Sequence, residues 1–384
     1  MLDRLVFAPL RDLATPAPGR RPALDALRSL AVLLIVAEHA RGGYLESGGI
    51  DGALTRSPLV RGGWTGIDLW FALAGFLAGR QLFGELAARG AVDLRRFALR
   101  RALRALPLYA AFYLASALLI PRSAHPGALL WPDATFTTNY AGHGLIPGSW
   151  MVCTVTQFYL VALLILAAAR SPRAARQVLA GVLLMFPAAR ALAWWKLTGA
   201  VLFHHDAALF LDRFFRPLHL HADPLFLGLA LASFPGERDA GEARAWPPAR
   251  LLGCAALAGL LAVVHREAFL FSALALLAGA AVRRAAAPGA QAPALLRWRG
   301  FHVISRLSFG VVLSHRFLED AVAGSLVGRV PLGTRFPALG FAVVYAALML
   351  ASALAATIAF CLVESPFLRL RAALDARGRP PGGA

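Results

Sequence analysis

Arg28 and His39 stand inside one apolar run with ten residues between them. On an α-helix, eleven steps of ~100° come to about 1100°, only ~20° from three full turns. Both side chains therefore share one face, separated by roughly 16 Å along the axis, about half the thickness of a bilayer's hydrocarbon core. A guanidinium and an imidazole at two depths on one face fit a reaction carried out across a membrane. They also fit a plainer arrangement, in which Arg28 snorkels to the inner interface and His39 lies near the outer one. Ionisable groups at membrane depth are costly and are usually functional.

Other residues could join this pair. Asp68 opens the next apolar run, Gly66 to Leu77, at a depth similar to His39. A carboxylate there orients an imidazole and raises its basicity, or else it serves as an interfacial cap. Glu38 points ~100° away from His39 on its own helix. The stretch Arg95 to Tyr109 is dense in arginine. Arg100 and Arg104 are i,i+4 neighbours, and with Arg101 they form a set able to clamp a polyphosphate or to anchor the inner interface. His315 and Glu319, also i,i+4, face one cavity either as catalytic groups or as a structural hydrogen-bonded pair. Trp150, Tyr159 and Glu364 lie near span ends, where aromatics are ordinarily belt residues. Gly66, Gly75 and Gly79 read as close-packing positions. Cys153, Cys254 and Cys361 are odd in number and lack metal spacing, so they read as core residues, and no metal site is expected.

The elements that must position these groups are membrane helices. The chain has 384 residues, 58% of them hydrophobic, with a mean hydropathy of +0.62. The apolar residues fall in runs at 23–41, 62–83, 104–120, 150–169, 177–195, 222–234, 251–265, 268–282, 302–323 and 338–361. A spanning helix needs about 20 residues, so the expected fold is all-α, a polytopic membrane bundle of about ten transmembrane helices. The runs at 222–234, 251–265 and 268–282 are short, which fits spans tilted against their neighbours, re-entrant segments or a miscount. No alternation of the β-barrel kind is present. The net charge of +18 follows the positive-inside rule. Most arginines fall in alternate loops, which places both termini in the cytoplasm and removes the need for a nucleic-acid partner. Residues 1–22 form an interfacial segment, 23–369 one membrane domain and 370–384 a short polar tail. Segments 121–149 and 196–221 are outer loops, the second carrying His204, His205, His219 and His221. Neither internal repeats nor helix-breaking patterns at mid-span are evident.

Taken in order, these segments resemble acyltransferase family 3, the integral membrane O-acyltransferases. Leu24 to Ala31 through His39 is similar to the family's opening helix. Gly66 to Leu77 is similar to its second signature, with Ala74 at the usual serine. Arg100 to Tyr109 resembles its inner basic motif. Asp223 to Gly228, Ile304 to His315 and Leu362 to Phe367 resemble the later ones. The fourth-span motif, Trp150 to Tyr159, departs from the family, because Val155 occupies the position of a glutamate. Gln157 nearby can hydrogen-bond but cannot act as a base. The departure bears on activity or on the choice of acceptor.

The resemblance implies an acyl-CoA donor, acetyl-CoA in the simplest case, bound from the cytoplasm of a bacterium at the inner membrane. It implies an acceptor hydroxyl on an envelope glycan, a lipid-linked sugar or a similar molecule. It makes Arg28 and His39 the central pair; in a direct transfer His39 takes the acceptor's proton, Arg28 stabilises the developing charge, and Asp68, at a similar depth, orients His39. Arg100, Arg101, Arg104 and Tyr109 become donor contacts. Two rivals stand beside it: a multi-helix transporter, which would carry repeats and broken helices, and a non-catalytic acyltransferase-like protein that has lost the glutamate.

Overall fold

The computed structural model describes residues 7–16, 20–119, 126–169, 171–196, 210–234, 248–264, 266–287, 294–327 and 336–377. His204 and His205, Leu2, Leu5 and Val6, and the end of the tail lie outside the described residues. Every regular element among the described residues is helical. The principal helices are α1 (Ala8–Ala14), α2 (Pro22–Glu46), α3 (Gly66–Arg89), α4 (Leu94–Leu119), α5 (Pro126–Ala134), α6 (Trp150–Ala168), α7 (Pro172–Lys196), α8 (Asp223–Leu231), α9 (Pro248–Val264), α10 (Arg266–Ala285), α11 (Arg299–Val327), α12 (Pro337–Ala359) and α13 (Ser365–Arg377). Proline opens α2 and α12, where its missing N–H has no intrahelical partner to lose. Gly90 closes α3 with φ 67°, the left-handed cap that glycine adopts without strain.

Among the described residues, four helices are long and apolar enough to cross a membrane: Trp150–Ala168, Pro172–Lys196, Ala268–Ala285 and the continuous stretch Pro337–Asp375. Their outward leucines are bare. Leu164 is 70% exposed, Leu184 73% and Leu350 73%. Such faces are stable against lipid, whereas water would drive them together. Helices α2, α3, α4 and α11 are 25, 24, 26 and 29 residues long. They match a bilayer in length, but their sequences carry the charged groups of interest.

The run at 222–234, short already in the sequence, is not a full span. It is the nine-residue α8, preceded by a single turn at Leu218–His221 and a π-helical turn at Leu211–Phe215. Nine residues rise about 14 Å, less than half of the hydrocarbon core. The segment is thus an interrupted helix, a feature that hydropathy did not reveal. The tail also differs, since α13 continues helically beyond residue 370 after a π turn at Phe360–Glu364.

The arginine-bearing helix ends meet at one end of the bundle. Arg21 donates to the carbonyl of Ala286 beside the end of α10. Asp25 accepts from Ser305 at 3.0 Å and lies 3.2 Å from His302, both on α11. Arg100 at the start of α4 pairs with Asp375 on α13 at 2.7 Å. Asp12 on α1 pairs with Arg369 at 3.1 Å.

Helices α3 and α8 touch backbone to backbone. A Cβ on Gly75 would lie 2.0 Å from the carbonyl oxygen of Leu225, and one on Gly228 would lie 2.3 Å from that of Ala72. Overpacking against side chains typically costs about 1–3 kcal/mol; here backbone stands opposite and cannot rotate away. Gly75→Ala is expected to abolish monodisperse folded protein in detergent. Gly253→Ala, on a helix face with nothing within 4 Å, is expected to leave the elution profile unchanged.

Candidate functional site

The face shared by Arg28 and His39 turns inward, and each residue borders its own cavity. The outer cavity, about 730 Å³, is bordered by Glu38, His39, Trp64, Trp150, Phe215, Arg216, Arg266, His315, Arg316 and Glu319, among others. The inner cavity, about 120 Å³, is bordered by Arg28, Trp70, Ala74, Arg101, Arg104, Val155, Thr156, Tyr159, Ser308 and their neighbours. Helices α2, α3, α6 and α11 contribute to both: Arg28 and then Ile35 to His39, Trp70 and Ile67, Val152 and Met151, Phe309 and His315. The two cavities therefore follow one another along the same four helices. Small-molecule pockets usually measure about 300–1,000 Å³. The outer cavity can hold a whole ligand and the inner one only a ligand's tip.

Around His39 the partners come from α11. Arg316 Nη1 is 3.2 Å from His39 Nδ1 and also donates to Glu319. Glu319 itself is 3.8 Å from His39 Nδ1, and Glu38 is 4.0 Å away. The His315 ring lies 5.0 Å from the His39 ring, centroid to centroid. The close approach of α11 to α2 depends on Gly43, where a Cβ would sit 2.8 Å from Glu319 Cγ. His315 and Glu319 thus face one cavity, as their spacing indicated. Arg316, which sequence reasoning passed over, links them to His39.

Asp68 does not orient His39. It is 1% exposed and pairs with His221, Oδ1 to Nε2, at 3.1 Å. His221 Nδ1 lies 2.8 Å from the carbonyl oxygen of Phe215. That carbonyl only accepts, so a further proton lies between His221 and Asp68, as an imidazolium–carboxylate pair or its neutral equivalent. The pair, stacked on Phe271 at 3.9 Å, closes the interrupted segment onto α3.

The inner arginines separate into two groups. Arg28 has no ion-pair partner among the described residues. Arg101 lies over the rings of Phe97 and Tyr159 at 5.1 and 5.0 Å, and its Nε has no hydrogen-bond partner among the described residues. Arg104 reaches Glu364 only at 3.6 Å. Three guanidinium groups around a small hollow with so little carboxylate could hold an anion. Arg100 faces elsewhere, held by Asp375. Ala74 and Val155 both border this inner cavity and give it apolar wall on that side.

Two further candidates have structural partners. Tyr109 donates to Asp133 at 2.8 Å and stacks on Phe136 at 5.0 Å; Asp133 also accepts from the N–H of Leu145. Tyr109 therefore fastens the segment that carries Asp133 and makes no part of the arginine site. Gln157 exchanges two 2.9 Å amide hydrogen bonds with Asn139, and it holds the carbonyl of Phe136 at 2.7 Å, a residue with φ 55°. Trp150 is a cavity wall rather than a belt residue, packed on Phe71 and Phe215. Tyr140 stacks on His219 with 4° between the rings.

Sequence reasoning also missed Arg190, which is fully buried and holds Asp223 bidentately at 2.7 and 2.9 Å. An arginine inside an apolar run was the available signal. Among the described residues, no cluster of three or more His, Cys, Asp and Glu side chains could hold a metal ion.

Fold and cavities together define a helical bundle of membrane type with a polar site enclosed between its helices. Comparison of the chain with family models, curated proteins and solved structures finds no match in any of the three.

Proposed function

We propose that this chain is an integral membrane acyltransferase of the bacterial inner membrane. It moves an acyl group, acetyl in the simplest case, from cytoplasmic acyl-CoA to a hydroxyl of an envelope glycan, a lipid-linked sugar or a similar acceptor. The observation that carries the reading is the succession of cavities along α2, α3, α6 and α11, an anion site in one and paired imidazoles in the other. In this reading the arginine-bearing end faces the cytoplasm with both termini. The chain crosses the membrane about ten times, the interrupted 210–231 segment counting as one passage.

The donor's phosphates lie beside Arg28, Arg101 and Arg104, and its thioester reaches toward the outer cavity. There Trp64, Trp150 and Phe215 offer flat apolar walls beside hydrogen-bonding groups, a lining that suits a sugar ring. The acceptor oxygen attacks the thioester carbon, an imidazole takes its proton, and the sulfur departs as the thiol of CoA.

The test is thiol release by the purified protein from isotope-labelled acetyl-CoA in the presence of an envelope lipid and glycan extract. Label appearing in an alkali-labile ester is the expected result. Solute flux without thiol release would favour the transporter reading, to which the interrupted segment lends some weight. Failure to bind the donor would favour a non-catalytic protein. Within the acyltransferase reading, Arg104→Ala is expected to weaken donor binding by roughly tenfold or more, the loss of one charge-assisted contact of about 1.5–3 kcal/mol. Arg100→Ala, a change at the Asp375 pair, is expected to leave it unaltered. Titration with acetyl-CoA checks both.

A further inference from the structure

Hydrogen-bond logic fixes where the protons sit on the paired imidazoles. An arginine only donates. Arg316 Nη1 lies 3.2 Å from His39 Nδ1, so Nδ1 accepts and the neutral ring carries its proton on Nε2. Glu319, 3.8 Å from that nitrogen, is beyond hydrogen-bonding range and is engaged by Arg316 itself. For His315 the logic reverses. Its Nδ1 lies 3.1 Å from the carbonyl oxygen of Val311, which only accepts. Nδ1 therefore holds the proton and Nε2 holds a lone pair. That Nε2 is buried without a partner among the described residues, in a ring 1% exposed that borders the outer cavity. A buried polar atom left unpaired is rare and expensive.

We infer that the two histidines divide the work. His315 Nε2 takes the acceptor's proton, His39 Nε2–H steadies the thioester oxygen, and Arg316 is the positioning residue that holds His39 in the donor tautomer. This inference rests on the acyl-transfer reading and reassigns the base within it. The acceptor oxygen bonds to the thioester carbon while its proton passes to His315 Nε2. The carbonyl π pair moves onto oxygen and is met by His39 Nε2–H. As that pair returns, the C–S bond breaks and sulfur leaves with the bonding electrons. The proton on His315 then passes to the thiolate. An ester and a free thiol depart, and both rings recover their starting tautomers and charge.

Two conservative variants separate these roles. His39→Gln keeps an N–H donor near the place of Nε2 and cannot take a proton. Its turnover is expected to stay within about tenfold of wild type, where His39→Ala loses about 10²- to 10³-fold, the usual penalty for one such donor. His315→Asn keeps a donor for the Val311 carbonyl and lacks the basic nitrogen. Its turnover is expected to fall by about 10²- to 10⁴-fold. A His39→Gln protein as inactive as His39→Ala, or a His315→Asn protein near wild type, overturns the inference. Nitrogen-15 NMR of histidine-labelled wild-type protein in detergent gives an answer that does not depend on turnover. It should show His39 as the Nε2–H tautomer and His315 as the Nδ1–H tautomer, with His39 released from that state by Arg316→Gln. Reversed tautomers overturn the inference. A wild-type protein that shows the expected tautomers but transfers no acyl group overturns the acyl-transfer reading instead.

Discussion

Replacing His39 by alanine is expected to lower acyl transfer by about 10²-fold or more while the protein stays folded. At about 1.4 kcal/mol per factor of ten, that is ~2.7 kcal/mol or more of barrier. The fold should tolerate the change because the ring is a cavity wall with 31% of its side chain exposed, and not a core residue. Arg316 keeps Glu319 as a partner when the imidazole is gone, so no buried charge is orphaned. Initial rates of thiol release, read beside a thermal melt in the same detergent, check both halves. Unchanged rates would remove His39 from the chemistry.

Arg190→Ala is expected to do the opposite, destroying stability before any question of rate arises. The guanidinium is 0% exposed, and all three of its nitrogens are used. Nε donates to Ala268 O at 2.6 Å, Nη1 to Leu220 O at 2.6 Å and to Asp223 Oδ2 at 2.7 Å, and Nη2 to Asp223 Oδ1 at 2.9 Å and to Ser272 Oγ at 2.6 Å. The arginine thereby joins α7 to α10 and to the interrupted segment leading into α8. Truncation strands the Asp223 carboxylate, 2% exposed. Breaking a buried pair from one side typically destabilises by about 3–5 kcal/mol. A double variant, Arg190→Met with Asp223→Leu, removes both charges and is expected to recover part of the loss. Melting temperatures of the two proteins in detergent decide, and a single variant as stable as wild type would contradict the reading.

What could be read from the chain divides along a physical line. Features set by local helical period were legible. The Arg28–His39 face and the His315–Glu319 pair follow from 3.6 residues per turn alone, and the structure turns both toward cavities. Features set by tertiary partners were not. Asp68 and His221 meet across 153 positions of sequence and His39 and Arg316 across 277, separations over which no local rule operates. Glu38 misled in the other direction. Its Cβ leaves the helix ~100° from that of His39, yet its longer side chain brings Oε2 to within 4.0 Å of the imidazole. The 222–234 run shows what hydropathy leaves open: α8 is apolar because protein buries it, and composition does not distinguish burial in protein from burial in lipid. Val155 and Ala74 were noticed as departures, but that both border the inner cavity emerged only from the packing of α3 and α6.

Two cavities in succession, with the anion site at one end and the imidazoles toward the other, matter only if the substrates arrive from opposite sides. The direct measurement is sidedness in sealed vesicles that hold the protein in a single orientation. Labelled acetyl-CoA is supplied on one side, acceptor is confined to the other, and ester formation is followed. Transfer is expected only with the donor on the side of the Arg100–Asp375 end and the acceptor opposite. Equal transfer with donor and acceptor both confined to the His39 side would contradict it.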